Sequence, residues 1–202
     1  MKLLYASASP FVRTVMLVLH ETDQLSDVAL ENVATSPLKT DPKIPSENPL
    51  GKIPTLFDTE FGALYDSRVI TRYLDDRAQA GLYGTGSMLW TYLRLEATAA
   101  GIMDALVFMT YEKRLRPEAQ WSHDLLDAQW TKVTRSLNTL NSDWAPKIDP
   151  QAAPKIDQMA IASALGYADL RHEDRNWRAD CDALAKWFDS FEQRPSMQAT
   201  HP

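Results

Sequence analysis

The sequence predicts an α/β domain followed by an all-helical bundle, and three observations indicate this fold class. Within the first 35 residues, an apolar run, a helical pattern and a weakly alternating run indicate strand, helix and strand. A glycine-containing stretch follows the α/β part and indicates a linker. Every long segment beyond it repeats its apolar residues at helical spacing. We therefore expect domains at residues 1–79 and 87–202, joined by a linker at 80–86.

The first domain is predicted to begin with a strand, a helix and a second strand. Residues 2–6 form a short apolar run, and residues 27–33 alternate weakly, as strands do. The helix between them opens at Ser9, a preferred N-cap residue, and at Pro10, whose missing amide costs nothing at the first helical position. This order predicts two parallel strands joined by a crossover.

The rest of the first domain is predicted to hold a loop, a hairpin and a further helix. Residues 34–48 contain three prolines and no clear period, so we expect a loop with one helical turn. Residues 57–65 are typical of strand, turn and strand, and a helical pattern begins at Arg68. These elements would complete a domain of about four strands and about three helices.

The second domain is predicted to consist of four helices and a proline-punctuated loop. The third of these helices is small and apolar nearly all round, a composition typical of the middle of a bundle. The predicted helices span residues 88–115, 117–144, 156–170 and 182–191.

The composition disfavours several classes of function. With 21 Lys and Arg against 27 Asp and Glu, the net charge of −6 argues against a nucleic-acid or anionic-membrane surface. No apolar run approaches the roughly 20 residues of a membrane span. The single cysteine, Cys181, allows no internal disulfide, and the four histidines lack metal-ligand spacing, so we expect no bound metal. A cytoplasmic protein fits these observations.

A turn and a strand opened by proline, residues 48–56, carry the main functional signal. Proline opens strands or sits at their edges, and it is the residue that readily takes a cis peptide bond. A cis bond at Ile53–Pro54 would turn the amide and carbonyl of Ile53 outward, where they could pair with an extended peptide. Asp66 and Ser67 follow at a helix start, where free amides and a hydroxyl can hold a carboxylate.

This order of turn, strand, proline, hairpin and Asp–Ser pair resembles the glutathione-transferase superfamily. The resemblance runs from Met1 to residues 194–196, and it is closest to bacterial transferases that share the motif Ser-Pro-Phe-Val-Arg, residues 9–13 here. It implies a thioredoxin-like first domain, a helical second domain, glutathione as co-substrate and a homodimer. The implied activity is the conjugation of glutathione to a small apolar electrophile, a reaction of detoxification.

Ser9 is the catalytic residue that the resemblance implies. The family residue at this place donates a hydrogen bond to the sulfur of glutathione, and a donor beside a helix N-terminus lowers the pKa of a thiol. Related classes carry a cysteine there, which forms mixed disulfides, a chemistry that serine cannot perform. A Ser–Pro pair also caps a helix unaided, so capping is the alternative role, and the two roles compete for one hydroxyl. Tyr5 and Ser7 are rival donors to the sulfur.

The resemblance also implies which residues bind glutathione. Asp66 and Ser67 would hold the γ-glutamyl end. Ile53, preceding Pro54, would pair its backbone with the cysteinyl part, and Lys52 could meet the glycyl carboxylate. Each has an ordinary alternative, which is a helix cap for the Asp–Ser pair, core packing for the isoleucine side chain and solvation for the lysine.

The electrophile pocket is expected between the two domains. Its predicted lining comes from the start of the first helix and from the long helix of the second domain. Simple core packing is the alternative for these apolar side chains. The four residues are Phe11, Ile102, Met103 and Leu106.

Two other functions stay open at the level of sequence. One is a non-catalytic module with a transferase-like fold that acts through protein contacts. The other keeps the glutathione thiolate but uses it as an isomerase, a peroxidase or a lyase, including ether cleavage and dehalogenation. The combination of Ser9, Ile53–Pro54 and Asp66–Ser67 favours an enzyme over a binding module, but the thiolate is common to all these reactions.

Overall fold

The computed structural model describes all 202 residues. The first part of the chain contains six strands and two α-helices, which are β1 (Lys2–Tyr5), α1 (Pro10–Glu21), β2 (Ala29–Asn32), β3 (Thr35–Ser36), β4 (Lys39–Thr40), β5 (Thr55–Asp58), β6 (Gly62–Leu64) and α2 (Ser67–Ala78). Four strands form a mixed sheet in the order β2-β1-β5-β6. β1 runs parallel to β2, and β5 runs antiparallel to both of its neighbours. The parallel pair joined by α1 is the crossover that the sequence predicts.

The proline-rich segment 34–48 differs from its prediction. It contains the short hairpin β3–β4, which was not predicted, and then the expected single helical turn, in which the amide of Asn48 donates to the carbonyl of Ile44 at 2.8 Å. The amide of Lys39 donates to the hydroxyl of Ser36 at 3.1 Å. Local bonds of this kind satisfy the backbone in a turn and compete with helix formation, and the three prolines remove further helical donors.

The rest of the chain contains five α-helices, which are α3 (Ser87–Leu115), α4 (His123–Thr139), α5 (Ile156–His172), α6 (Asp182–Phe191) and α7 (Pro195–Ala199). α4 begins at His123, later than predicted, because the residues before it form a separate short turn at Glu118–Gln120. Just before α4, the amide of Ser122 donates to the carboxylate of Glu112 at 3.1 Å. α7 lies in the tail, where no helix was predicted. None of the helices combines the length and the apolar character that a membrane crossing requires.

One continuous core joins the sheet domain to the helices. α5 is buried on nearly every side and packs against both α1 and α3. Arg13 of α1, which the sequence left unassigned, is buried and donates from Nη2 to the carbonyl of Met197 at 3.1 Å. A Cβ at Gly166 would lie 2.3 Å from Nη1 of Arg13, so the guanidinium occupies the space that a side chain at this position of α5 would need. The arginine thereby ties α7 to the first helix of the chain.

Candidate functional site

A cavity of about 230 Å³ lies where the segment before β5, the start of α2 and the middle of α3 meet. All five residues predicted to bind glutathione line it, although they come from two separate stretches of the chain. The full lining is Phe11, Asn48, Leu50, Lys52, Ile53, Pro54, Tyr65, Asp66, Ser67, Arg68, Ala97, Ala100, Gly101 and Asp104.

The peptide bond between Ile53 and Pro54 is cis, as the sequence predicts. β5 begins only at Thr55, so Ile53 lies outside the sheet ladder. Neither its amide nor its carbonyl has a backbone partner elsewhere in the chain. These two groups have the properties of an unpaired strand edge and are available to an extended peptide in the cavity.

Asn48 holds the turn that presents Ile53. Its side chain is buried, and its Nδ2 donates to the carbonyl of Lys52 at 3.0 Å and to Oγ1 of Thr55 at 3.2 Å. Its Oδ1 accepts the amide of Leu50 at 3.0 Å. The asparagine therefore fixes the chain on both sides of the cis bond. The sequence identified Asn48 only as a turn residue, although an asparagine that bonds the backbone two residues on is a known turn device.

The first turn of α2 opens onto the cavity. Oδ1 of Asp66 accepts the amide of Arg68 at 2.9 Å and caps the helix. Ser67 is 6% exposed, and its amide has no backbone partner in the chain. A free amide at a helix N-terminus, beside a hydroxyl, is an arrangement that holds a carboxylate. The bond Tyr65–Asp66, which leads into this turn, is also cis.

Arg68 already engages the carboxylate of Asp66, one of the two residues predicted to hold the γ-glutamyl end of glutathione. Its Nη2 lies 3.2 Å from Oδ2 of Asp66, and its Nε lies 3.3 Å from Oδ1. Burial raises the pKa of Asp66, but the bonds from the guanidinium and the amide of Arg68 outweigh burial and lower the pKa overall. Asp66 is therefore ionised at neutral pH, and a ligand ammonium would share it with Arg68.

Ser9 caps α1 but does not line the cavity, whereas Phe11 does. The hydroxyl of Ser9 accepts the amide of Val12 at 3.4 Å. Accepting uses a lone pair of the oxygen, so the hydroxyl hydrogen is left to donate elsewhere. The capping and catalytic roles, which were expected to compete, use different parts of the same group. Of the two rival donors, Ser7 is exposed and Tyr5 is half-buried.

The predicted lining of the electrophile pocket needs correction along α3. Ile102, Met103 and Leu106 are all buried in the core, at 2%, 2% and 0% exposure. The residues of α3 that reach the cavity belong to the adjacent helical face and are Ala97, Ala100, Gly101 and Asp104. Residues three and four apart share a face of a helix, so the apolar stripe turned to α5 is not the one that faces the cavity.

A larger cavity, of about 510 Å³, lies among α5, α6 and the tail. It shares no residue with the first cavity, and its lining mixes basic and acidic side chains. Arg178 is paired there with Asp169 at 2.7 Å and with Asp189 at 2.5 Å. Because none of the predicted site residues reaches this cavity, we regard the smaller one as the candidate site.

The chain has relatives among known proteins. Residues 8–77 match the family model described as "Glutathione S-transferase, N-terminal domain". The GST-like protein YibF of Escherichia coli (strain K12), itself called uncharacterized, is 32% identical over 207 aligned positions, which cover 100% of this chain and 98% of YibF.

Solved structures similar to this chain contain bound glutathione. A glutathione transferase family member from Pseudomonas fluorescens Pf-5 with bound glutathione is 43% identical, covers 100% of this chain and 98% of its own, and has a TM-score of 0.95. A second structure from that organism holds S-(propanoic acid)-glutathione, at 42% identity, coverage of 100% and 99% and a TM-score of 0.90. A transferase from Methylobacillus flagellatus KT with glutathione bound is 31% identical, with coverage of 100% and 98% and a TM-score of 0.84.

Proposed function

This chain belongs to the glutathione S-transferase family, and from that premise we propose that it binds glutathione in the smaller cavity and transfers its thiolate to a small apolar electrophile. One observation carries the proposal. The unpaired backbone groups of Ile53 and the unpaired amide of Ser67 belong to residues that line a single cavity. Together they suit the peptide backbone and the acidic end of one tripeptide.

The proposed pose places the tripeptide along the edge that Ile53 presents. The γ-glutamyl carboxylate binds the amide and hydroxyl of Ser67, and its ammonium binds Asp66 beside Arg68. The cysteinyl amide and carbonyl pair with Ile53, which Asn48 holds in place. Lys52 is exposed at the rim of the cavity, where its ammonium can meet the glycyl carboxylate.

Ser9 is proposed to stabilise the thiolate. A free thiol has a pKa of about 8.5, so most of it is protonated at neutral pH. The hydroxyl hydrogen of Ser9 is not used by the cap, and the N-terminus of α1 adds a partial positive charge at the same place. Both favour the ionised sulfur and so increase the fraction of nucleophile at pH 7.

The electrophile is proposed to enter between Phe11 and the α3 face formed by Ala97, Ala100, Gly101 and Asp104. The small side chains of that face leave room next to the expected position of the sulfur. The Pseudomonas relative with S-(propanoic acid)-glutathione supports the small size of the acceptor but not its apolar character, since that ligand carries a three-carbon acid on its sulfur. The motif at residues 9–13 supports placing the chain in the bacterial group of transferases that shares it.

We also propose a cytoplasmic homodimer with a role in detoxification. Phe61, Val69 and Trp90 are 58%, 48% and 70% exposed on the hairpin, on α2 and on α3. Large exposed apolar side chains of this kind support burial against a second copy. Sedimentation of the purified chain tests this part of the proposal, and a monomer at every concentration would contradict it.

Titration calorimetry with glutathione, followed by assays with an aromatic halide and with acrylic acid, tests the function. We expect binding below millimolar concentration and conjugation of at least one electrophile. A folded protein that fails to bind glutathione at millimolar concentration would overturn the proposal and favour a module that acts through protein contacts. Turnover limited to peroxides, isomerisable substrates, ethers or alkyl halides would keep the glutathione site but replace conjugation as the reaction.

A further inference from the structure

A buried carboxylic acid lies behind the turn that carries Asp66 and Ser67. Glu96 of α3 is 2% exposed, and its Oε1 accepts a hydrogen bond from the hydroxyl of Tyr83 at 2.8 Å. The hydroxyl of Thr71, on α2, lies 3.2 Å from the same carboxylate oxygen and 2.8 Å from the hydroxyl of Tyr83. The three oxygens form a closed triangle in the interior of the protein.

Thr71 connects this triangle to the first turn of α2. Its Oγ1 lies 3.0 Å from the carbonyl of Ser67 and 3.2 Å from the carbonyl of Arg68. A threonine hydroxyl has one hydrogen, so these carbonyls and the carboxylate of Glu96 compete for it. An ionised Glu96 attracts that hydrogen, because bonds to a charged acceptor are the stronger ones, whereas a protonated Glu96 leaves it with Ser67.

Glu96 changes its charge near neutral pH. Burial raises the pKa of Glu96 to about 7, against the bonds from Tyr83 and Thr71 and the positive charge of Arg68, which lower it. The charge of Asp66 raises it in turn. The carboxyl of Glu96 is therefore coupled electrostatically to Asp66 and Arg68, which lie at the mouth of the proposed glutathione site.

We infer that Glu96 is a positioning residue for the turn formed by Asp66 and Ser67, and that its ionisation weakens the hold of this turn on the γ-glutamyl carboxylate of glutathione. The inference rests on the proposed function. Two effects of ionised Glu96 weaken binding. A negative charge behind the helix N-terminus opposes a bound anion, and Thr71 withdraws its hydrogen bond from the carbonyl of Ser67. By linkage, glutathione binding takes up a proton at neutral pH.

The neighbouring charges do not provide this titration. Those that act on Glu96 are Asp66 at the start of α2, Arg68 of α2 and the hydroxyl of Tyr83 after α2. None of these side-chain types has an ordinary pKa close to 7. The buried carboxyl of α5, Asp157, is bound by Nε1 of Trp144 at 2.9 Å and is not part of the triangle.

Binding of S-methylglutathione tests the inference, because its sulfur cannot ionise and its other groups keep their charge across the neutral range. For the unmodified protein, we expect the dissociation constant to rise about 3- to 10-fold between about pH 6 and about pH 8. Glu96→Gln keeps the shape of the side chain but not its charge, so its dissociation constant should not depend on pH. The exposed Glu118→Gln is the matched control and should keep the original pH dependence.

Calorimetry in buffers of different ionisation enthalpy gives a second measurement. The unmodified protein should take up a fraction of a proton on binding at about pH 7, and Glu96→Gln should take up none. If Glu96→Gln fails to fold, Tyr83→Phe replaces it. Loss of the hydroxyl donor raises the pKa of Glu96, so the transition in binding should move to higher pH.

The possible failures are distinguishable. No binding of S-methylglutathione at any pH would overturn the proposed function. Tight binding with the same dissociation constant at every pH would overturn only the role of Glu96. A pH dependence that persists unchanged in Glu96→Gln would likewise remove Glu96 from this role, because another group would then be titrating.

Discussion

Arg68 and Asp66 are joined through two pairs of side-chain atoms, Nη2 with Oδ2 at 3.2 Å and Nε with Oδ1 at 3.3 Å. Both side chains are about 50% exposed, so the pair contributes little to the stability of the fold. Its importance is local. The guanidinium keeps Asp66 ionised next to the free amide of Ser67, and the same turn then offers an acceptor for an ammonium and a donor for a carboxylate.

We expect Asp66→Asn to weaken glutathione binding about 10-fold, because the ligand ammonium loses a charged acceptor. Asparagine caps a helix as well as aspartate does, so the free energy of unfolding should change by less than about 0.5 kcal/mol. Titration calorimetry and urea denaturation measure the two quantities. N-acetylglutathione, which lacks the ammonium, should bind both proteins equally. Equal affinity of both proteins for glutathione itself would show that Asp66 acts only as a cap.

We expect Ser9→Ala to lower kcat for conjugation by about 10- to 10³-fold, the usual cost of removing one donor to a developing or existing anion. The pKa of bound glutathione should rise toward the ordinary thiol value of about 8.5, which the ultraviolet absorbance of the thiolate reports. The lost cap should also reduce the free energy of unfolding by about 1 kcal/mol.

Ser7→Ala and Tyr5→Phe are the controls for this prediction, since both residues are rival donors near the end of β1. Neither change should move the pKa of bound glutathione. If Ser7→Ala reproduces the loss of turnover while Ser9→Ala affects stability alone, Ser9 is the cap and Ser7 is the donor to the sulfur.

Substitution of two helical glycines by alanine should change the free energy of unfolding in opposite directions. Gly166→Ala places a Cβ 2.3 Å from Nη1 of Arg13 and should destabilise the protein by about 1–3 kcal/mol. Gly101→Ala meets no atom within 4 Å and should stabilise it by about 0.5–1 kcal/mol through helix propensity. Urea denaturation compares both variants with the original chain. A neutral Gly166→Ala would mean that Arg13 moves aside at no cost.

The stability difference between Glu96→Gln and the original chain should depend on pH. Burial raises the folded-state pKa of Glu96 from 4.5 to about 7, so the folded state binds more protons between these values. The contribution of the Glu96 proton to the free energy of unfolding is fully present below about pH 4 and is lost as the pH rises through about 7. Glutamine stays neutral at every pH. The free energy of unfolding of the variant, relative to that of the original chain, should therefore rise by about 2–4 kcal/mol between about pH 4 and about pH 8.

Urea denaturation of both proteins at several pH values measures this difference. The other titrating groups, including the buried His172, are common to both chains and cancel in the comparison. A stability difference that stays constant with pH would show that the carboxyl of Glu96 keeps an ordinary pKa in the folded protein.

The fold class could be predicted because its signals are local, and the prediction of an α/β domain followed by helices, with a glutathione-transferase fold, is confirmed. Ser9 and Pro10 mark the start of α1, and the apolar residues of 156–170 identify the buried helix α5. The errors are the hairpin β3–β4, the helix α7 and the start of α4. Before α4, the amide of Ser122 is bound by Glu112 of another helix, a contact that no local pattern of α4 contains.

The candidate site could likewise be predicted from the sequence only in part. The turn around Ile53–Pro54 and the Asp66–Ser67 pair are features of consecutive residues, and both could be located along the chain. The wall of the cavity on α3 could not, because periodicity shows that a helix has an apolar stripe but not which neighbour that stripe faces. Ile102 and Met103 face the core, while Gly101 and Asp104 on the next face reach the cavity.

The order of residues thus specified the elements of this protein and the two short segments that offer unpaired backbone groups, since turns, caps and periodicity are encoded by near neighbours. The tertiary structure established what the chain order left undefined. It turned the small residues of α3 toward the cavity, and it buried Glu96 of α3 next to Thr71 of α2. These relationships join residues far apart in sequence and depend on how the helices are arranged in space, so near neighbours do not encode them.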